Sequence, residues 1–455
     1  MAKKRTIFVC AECDYQTPKW MGRCPECKAW NTLDEQTPAS AAPAVQQLRG
    51  DRATPVPIHE VASNGGGELR VTSGIGELDK PMGGGLVHGS LVLLGGDPGV
   101  GKSTLLLMAA HRFAERGPPV LYASGEESVQ QVRMRAERLG VHAPSLHLLS
   151  STDWTHIETS CRELKPAVLV VDSVQTVAAP ELPNLPGSVT QVREVAHRAM
   201  NLAKSTQTAI LLVGHVTKSG ELAGPKVLEH FVDTVLHFEG DGRSALRILR
   251  AVKNRFGPAG ELGMFEMAED GLRQVPDASA RLLQERRQDA AGTAVVAALE
   301  GSRALLAEVQ ALVGPPMPQT PARTCVGVDR TRVQMLAAVA EKHGVRLHDR
   351  DIYVNAAGGI RLSEPAADLA ILAAMASSLA DVPLPPDAIW LGEVGLVGEI
   401  RAVPHPALRL REAQRHGFSR VIGPERCREH LPEGLHLEAV HTVHDALDLL
   451  TPSGT

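Results

Sequence analysis

Residues 91–104, LVLLGGDPGVGKST, decide the fold. The four aliphatics Leu91 to Leu94 have the length and composition of a strand buried on both faces. The turn Gly96-Asp97-Pro98-Gly99-Val100-Gly101 then runs into Lys102-Ser103-Thr104, which fits G-x-x-x-x-G-K-[ST]. A helical period follows over Ser103–Glu115. Strand, glycine loop and helix in that order aim backbone N–H groups and a helix amino terminus at an anion. Lys102 is expected to reach the β- and γ-phosphates of a nucleotide, and the Ser103 hydroxyl to ligate Mg²⁺.

Outward from this loop, short aliphatic runs alternate with helical stretches. Val120–Ala123 precedes a charged helix through Val129–Leu139, and Val168–Val171 and Ile210–Val213 are further runs of strand length. The alternation predicts an α/β domain whose parallel sheet is covered on both faces. Asp233–Phe238, Leu246–Val252 and Gly263–Met267 have less helix between them, so the sheet is expected to end in antiparallel strands. Val168-Leu-Val-Val-Asp172 ends in a carboxylate at the carboxyl edge of its strand, where such sheets bind ligands. Asp172 is therefore the second group expected on the magnesium side, with Ser173 beside it. Ser124-Gly-Glu126-Glu127 emerges on the same edge. Glu126 is the choice for activating water, with helix capping as the rival role and a division of labour with Glu127 left open.

The chain has 455 residues, about three domains at roughly 150 each. Its 47 basic and 52 acidic residues leave a net charge of −5, which excludes a histone-like polycation but allows a local basic surface. Aromatics are 3%, so stacking platforms for bases must be few. No uncharged apolar run reaches about 18 residues, and Lys3, Lys4 and Arg5 lead into cysteines, so a cytoplasmic protein without membrane association is expected. Cys10, Cys13, Cys24 and Cys27 form two Cys-x-x-Cys pairs with ten residues between them. Four thiolates so spaced suit a tetrahedral structural Zn²⁺ at about 2.3 Å. Cys161, Cys325 and Cys427 are isolated and expected to be buried small hydrophobes.

Thr72-Ser-Gly-Ile-Gly-Glu-Leu-Asp79 and Gly83-Gly-Gly-Leu-Val-His-Gly-Ser90 lead into the phosphate loop through Thr104, an entry that resembles RecA/KaiC/DnaB-type ATPases. Together with Lys253-Asn-Arg-Phe-Gly257 and the four-cysteine motif, it is similar to the bacterial RadA (Sms) family of DNA-repair proteins. The third part is similar to the Lon protease domain. The expected organisation is a zinc-binding module at 1–34, a linker at 35–58, a RecA-like ATPase domain at 59–273, a polar junction at 274–290 and an α+β Lon-like domain at 291–455.

The resemblance, which covers nearly the whole chain, implies a hexameric, DNA-dependent ATPase with cofactors ATP, Mg²⁺ and Zn²⁺. Such a ring would bind single-stranded and branched DNA and promote branch migration with RecA. It makes Glu126 the glutamate that polarises water, Asp172 the Walker B aspartate and His215 a sensor of the γ-phosphate. Lys253 and Arg255, two apart and so on one side, would reach the γ-phosphate of a neighbouring subunit. The segments Ala178–Ser188 and Thr217–Lys226, the second carrying Lys218 and Lys226, would line the ring's channel.

Two rival functions are an ATP-dependent protease or unfoldase and an ATP-switched assembly factor without motor activity. Lon-type proteolysis needs a serine and a lysine. Ala366 and Arg409 stand at those positions, and Ser363 lies three residues early, so a dead protease is expected. Scaffolding, ring assembly and DNA binding remain for this domain; Arg401, Arg409, Arg411 and Arg415 suggest a DNA-binding surface, with a solvated helix face as the commoner meaning of such spacing.

Overall fold

Aliphatic strands lie inside a sheet and more polar ones toward its margins, and the first nine strands after residue 90 sort this way. In chain order they are β1 (Leu91–Gly96), β2 (Val120–Ser124), β3 (Leu146–Ser150), β4 (Val168–Asp172), β5 (Ala209–Val213), β6 (Thr234–Glu239), β7 (Leu246–Asn254), β8 (Leu262–Ala268) and β9 (Gly271–Gln274). They form one sheet in the order β9-β8-β7-β6-β1-β5-β4-β2-β3. Strands β6 through β3 run parallel, and β7, β8 and β9 close the sheet antiparallel, as the sparse helix between them predicts. β1, β2, β4 and β5 are buried at every position.

This computed structural model describes residues 7–10, 16–25, 28, 30, 33–36, 70–214, 228–240, 246–316 and 321–450. The chain forms two units, 1–63 and 64–455. In the larger one, alternation along β1 sorts the core. Val92 and Leu94 face helix α1 (Lys102–Glu115), with α2 (Val129–Arg138) on the same side. Leu91 and Leu93 face α3 (Trp154–Leu164) and α4 (Val189–Thr206).

Beyond the sheet, residues 274–290 depart from the polar junction expected. They contain helix α5 (Ala278–Leu283), whose Ala278 and Ser279 are fully buried. Small side chains let the helix sit in a seam, and its polar group is answered inside it. The Ser279 hydroxyl accepts the Leu306 N–H at 3.0 Å and donates to Glu412 at 2.5 Å. Met264, Val275, Ala278 and Leu305 make the apolar part of the seam, and Arg250–Glu300 (2.8 Å) and Arg303–Glu77 (3.2 Å) pin its rim.

A second sheet follows. Its strands are β10 (Thr293–Glu300), β11 (Arg303–Gly314), β12 (Arg323–Val326), β13 (Asp351–Ala356), β14 (Ala388–Trp390), β15 (Arg420–Gly423) and β16 (His436–Ala439), in the order β12-β13-β11-β10-β14-β15-β16. Helices α6 (Arg330–Lys342), α7 (Asp368–Ala380) and α8 (Pro406–Arg415) pack around it, α7 being buried from Asp368 to Ser377. Cys161 and Cys427 are buried as expected, whereas Cys325, on the edge strand β12, is only half-buried.

In the smaller unit, Ile7–Cys10 pairs antiparallel with Gln16–Thr17 and with Leu33–Gln36. Glu35 and Gln36, expected to open the linker, instead pair with Phe8 and Ile7 and complete the sheet.

Arg409 corrects another expectation. It is fully buried rather than presented to DNA. Its guanidinium meets both oxygens of Glu364 at 2.6 Å and donates to the carbonyls of Ala297 (2.6 Å) and Pro404 (2.9 Å). A charge can lie so deep only because each of its three nitrogens is answered. Arg409→Ala strands the Glu364 carboxylate and is expected to cost about 3–5 kcal/mol. The measurement is the urea midpoint of the transition involving the second sheet, and an unmoved midpoint refutes this role for the pair.

Candidate nucleotide site

The phosphate loop leaves β1 through Gly96 at φ 152°. A Cβ there would lie 2.3 Å from the Phe238 carbonyl oxygen, so only glycine lets the loop pass its neighbouring strand. Gly101, at φ 110°, is the N-cap of α1, and α1 begins at Lys102. Gly101 brings no side chain to cap the first turn, so the N–H groups of that turn remain for an anion.

Lys102 is almost fully buried, with Nζ donating to the carbonyls of Gly96 (2.7 Å) and Asp97 (2.9 Å). Burial pulls its pKa below the usual lysine range, and the carboxylates of Asp172, Asp97 and Glu126 oppose that shift. Those three acids therefore lie close enough to favour the charged form of Lys102.

β2 and β4 run in parallel register, Ser124 opposite Asp172 and Tyr122 opposite Val170. Tyr122, two residues before Ser124, shares a face with Asp172 and donates its hydroxyl to Asp172 Oδ2 at 2.6 Å. Burial, then the adjacent Asp172 charge, raises the Tyr122 phenol well above its ordinary pKa and keeps it a donor. Ser173 donates to Glu126 Oε1 at 2.6 Å. Glu127 is engaged elsewhere: its carboxylate pairs with Arg135 and its N–H donates to Ser124 Oγ at 2.9 Å. The structure thus brings Glu126, Asp172 and Lys102 together and gives Glu127 a local structural bond. Tyr122 and Arg135 are absent from the residues chosen by motif. Strand register would have found Tyr122, because it shares the face of Asp172.

Lys253 and Arg255 lie elsewhere. Asn254 pairs with Thr234, and Thr234 with Val92, near the start of β1. Lys253 Nζ donates to the Glu229 (2.5 Å) and Val232 (2.8 Å) carbonyls. Arg255 pairs with Asp233 at 3.1 Å, and the same Asp233 carboxylate accepts the Leu91 N–H at 3.0 Å. The phosphate loop leaves the other end of β1, about 17 Å away at the rise of a strand. Within one chain the basic pair and the phosphate loop occupy opposite edges of the sheet.

The segment Ala178–Ser188 is non-helical, as its prolines predict, and the buried Gln191 amide holds it through Ala179, Leu182 and Asn184. His215, Lys218 and Lys226 lie outside the described residues. So do Cys13 and Cys27, whereas Cys10 and Cys24 are buried together beside Leu33, an apolar shell that suits thiolate ligands. In the second sheet's unit Ala366 is buried, Arg401 pairs with Glu393 and Glu399, and Arg415 pairs with Asp277 and Glu412.

Residues 70–221 match the model of the AAA domain, and residues 8–35 that of the rubredoxin metal binding domain. DNA repair protein RadA of Bacillus subtilis (strain 168) is 46% identical over 454 residues, covering 98% of this chain and 99% of its own. The protein of the same name from Pseudomonas aeruginosa is 47% identical over 453 residues, covering 99% and 100%. The chain belongs to the RadA family of DNA repair proteins. A KaiC-like protein of Pyrococcus horikoshii OT3 covers 46% of the chain at 21% identity, with a TM-score of 0.39. As a RadA-family member with an AAA domain, the chain is an ATPase of DNA repair with an amino-terminal metal-binding ribbon. Among its described residues no helix is long and apolar enough to cross a membrane.

The unequal surroundings of Glu126 and Glu127 give a clean comparison in this RadA-family site. Glu126→Gln is expected to slow ATP turnover by about 10²–10⁴-fold while nucleotide binding persists. Glu127→Gln breaks the Arg135 pair and is expected to lower thermal stability more than turnover. Phosphate release at saturating ATP reads the first effect, and equal losses for the two variants contradict the assignment.

Proposed function

We propose that the chain is an ATP-driven motor that binds single-stranded and branched DNA and promotes branch migration together with RecA. The observation that carries this reading is the separation of Lys253 and Arg255 from the phosphate loop of their own chain. A basic pair on the opposite edge of the sheet serves hydrolysis only if another copy supplies the nucleotide, which supports a ring, and six subunits are the number the family suggests.

Gly96, Asp97, Pro98, Gly99, Val100, Gly101, Lys102, Ser103 and Thr104 cradle the triphosphate of ATP. Ser103 and Asp172 are the groups that would hold Mg²⁺, which when bound offsets phosphate charge. Ser173 fixes the Glu126 carboxylate, and Glu126 accepts a proton from the attacking water as the oxygen bonds to the γ-phosphorus. The bond from that phosphorus to the β–γ bridging oxygen breaks and leaves ADP and phosphate. Lys253 and Arg255 of the adjacent copy neutralise charge developing on the transferred group. The freed γ-phosphate is sensed near His215, and the segments Ala178–Ser188 and Thr217–Lys226 move DNA in the channel.

Cys10, Cys13, Cys24 and Cys27 would hold Zn²⁺ as a structural centre. The organisation follows as zinc ribbon, linker, RecA-like ATPase and Lon-like part at 291–455, in a cytoplasmic protein. Ala366 supplies no nucleophile, and Arg409 is locked to Glu364, which argues against proteolysis.

Two measurements test the reading. Single-stranded DNA is expected to stimulate ATP turnover strongly, and its failure to do so would favour a nucleotide-switched assembly factor. Lys102→Ala and Arg255→Ala chains are each expected to be inactive alone and to regain part of the turnover when mixed. Mixed rings join an intact phosphate loop to an intact arginine, and no recovery on mixing contradicts completion of the site by a neighbour.

A further inference from the structure

The four tryptophans of the chain divide sharply. Trp154 and Trp390 are fully buried in the larger unit, whereas Trp20 and Trp30, in the metal-binding ribbon, are 56% and 69% exposed. In water two large rings so placed are costly unless they meet something. They are also neighbours. A Cβ built on Gly22 would lie 3.8 Å from the Trp20 ring and 3.9 Å from the Trp30 ring, so both rings flank one glycine. Arg23 pairs with Trp30 through the backbone, and its guanidinium lies 5.6 Å from the centre of that ring. Arg23 Nε donates to the Lys28 carbonyl at 2.8 Å, which holds the planar cation in place. Lys19, Arg23 and Lys28 are all exposed, Lys19 next to Trp20 and Lys28 two residues before Trp30, with Lys28 Nζ donating to the Pro25 carbonyl at 2.9 Å.

We propose that Trp20, Trp30 and Arg23 form a stacking platform for unpaired bases of single-stranded DNA, with Lys19 and Lys28 facing its phosphates. Indole faces accept any base without reading sequence, and exposed cations draw the backbone to them. A chain with 3% aromatics that spends two tryptophans on one small exposed surface, ringed by cations, fits a polyanion with flat apolar groups better than a wholly apolar partner. The proposal rests on the reading that the chain handles single-stranded DNA and adds a second contact, outside the ATPase unit.

The test uses the full-length chain and fluorescent oligo(dT), at low and moderate salt. Trp20→Ala and Trp30→Ala are each expected to weaken binding about tenfold, with zinc content and DNA-free ATP turnover unchanged. Trp30→Phe is expected to restore most of the affinity. Gly22→Leu, which fills the space between the rings and keeps both, is expected to weaken binding as the alanine variants do. In parallel, 5-iodouracil substituted oligonucleotides are expected to photo-crosslink to Trp20 or Trp30. Wild-type affinity in the alanine and leucine variants, with crosslinks only to residues 64–455, overturns the platform and leaves the motor reading intact. Loss of RecA binding with undiminished oligo(dT) affinity overturns it in favour of a protein partner. If the wild-type chain binds no oligo(dT), the motor reading fails together with this one.

Discussion

β1 is six residues that no charge can enter, because both faces are covered by helices and both edges by strands. Every polar function of the ATPase unit is therefore pushed to one end or the other of the parallel strands. At the carboxyl end stand the phosphate loop, Asp172 and Glu126. At the amino end, Asp233 ties the Leu91 N–H to Arg255 and so sets the Lys253–Arg255 corner against the start of the same strand. One apolar strand keeps the two basic groups of the motif away from their own loop. That separation is the physical basis of the proposal that a neighbouring copy completes the site.

At the carboxyl end, order comes from hydrogen bonds between side chains that no motif unites. Tyr122 holds one oxygen of Asp172, Ser173 holds Glu126, and Arg135 draws Glu127 aside. Carboxylates gathered at one strand edge would repel one another if unanchored, and Asp172, Glu126 and Glu127 are all anchored. Each has a donor that fixes where its charge lies. The fixed positions matter because stabilisation of a transition state depends on groups that need not reorganise when charge develops.

The seam between the two sheets uses another device. Small residues, Ala278 and Ser279, admit a helix where a polar junction was expected, and the ion pairs Arg303–Glu77 and Arg250–Glu300 close it. Such pairs add little net stability over apolar packing but tolerate no loss of one partner. Their partners come from both sides of the seam, so losing either partner would leave a charge unanswered there. In the ribbon, by contrast, Trp20, Trp30, Lys19, Arg23 and Lys28 are exposed.

The strand–loop–helix at 91–115, the alternation of aliphatic runs and the Cys-x-x-Cys pairs were legible in the residues, because local spacing alone dictates a glycine turn, a buried strand and a pair of knuckles. Spacing also brought Asp172 and Glu126 to the same edge, since both follow parallel strands. The sequence favoured Glu126 over Glu127 but could not show their partners, since adjacent acids look alike until Ser173 and Arg135, distant or out of phase along the chain, bond to one each. Nor could it show that Arg409 faces inward, because an arginine reads as surface until a buried carboxylate such as Glu364 meets it. The junction at 274–290 read as polar because the partners of Ser279 and Asp277, among them Glu412 and Arg415, lie far along the chain. What the sequence determined by itself is everything set by neighbours along the chain. Charge placement, helix burial and the distance from Lys253 and Arg255 to the phosphate loop were decided only in three dimensions, because each depends on strand register and on partners that folding alone brings near.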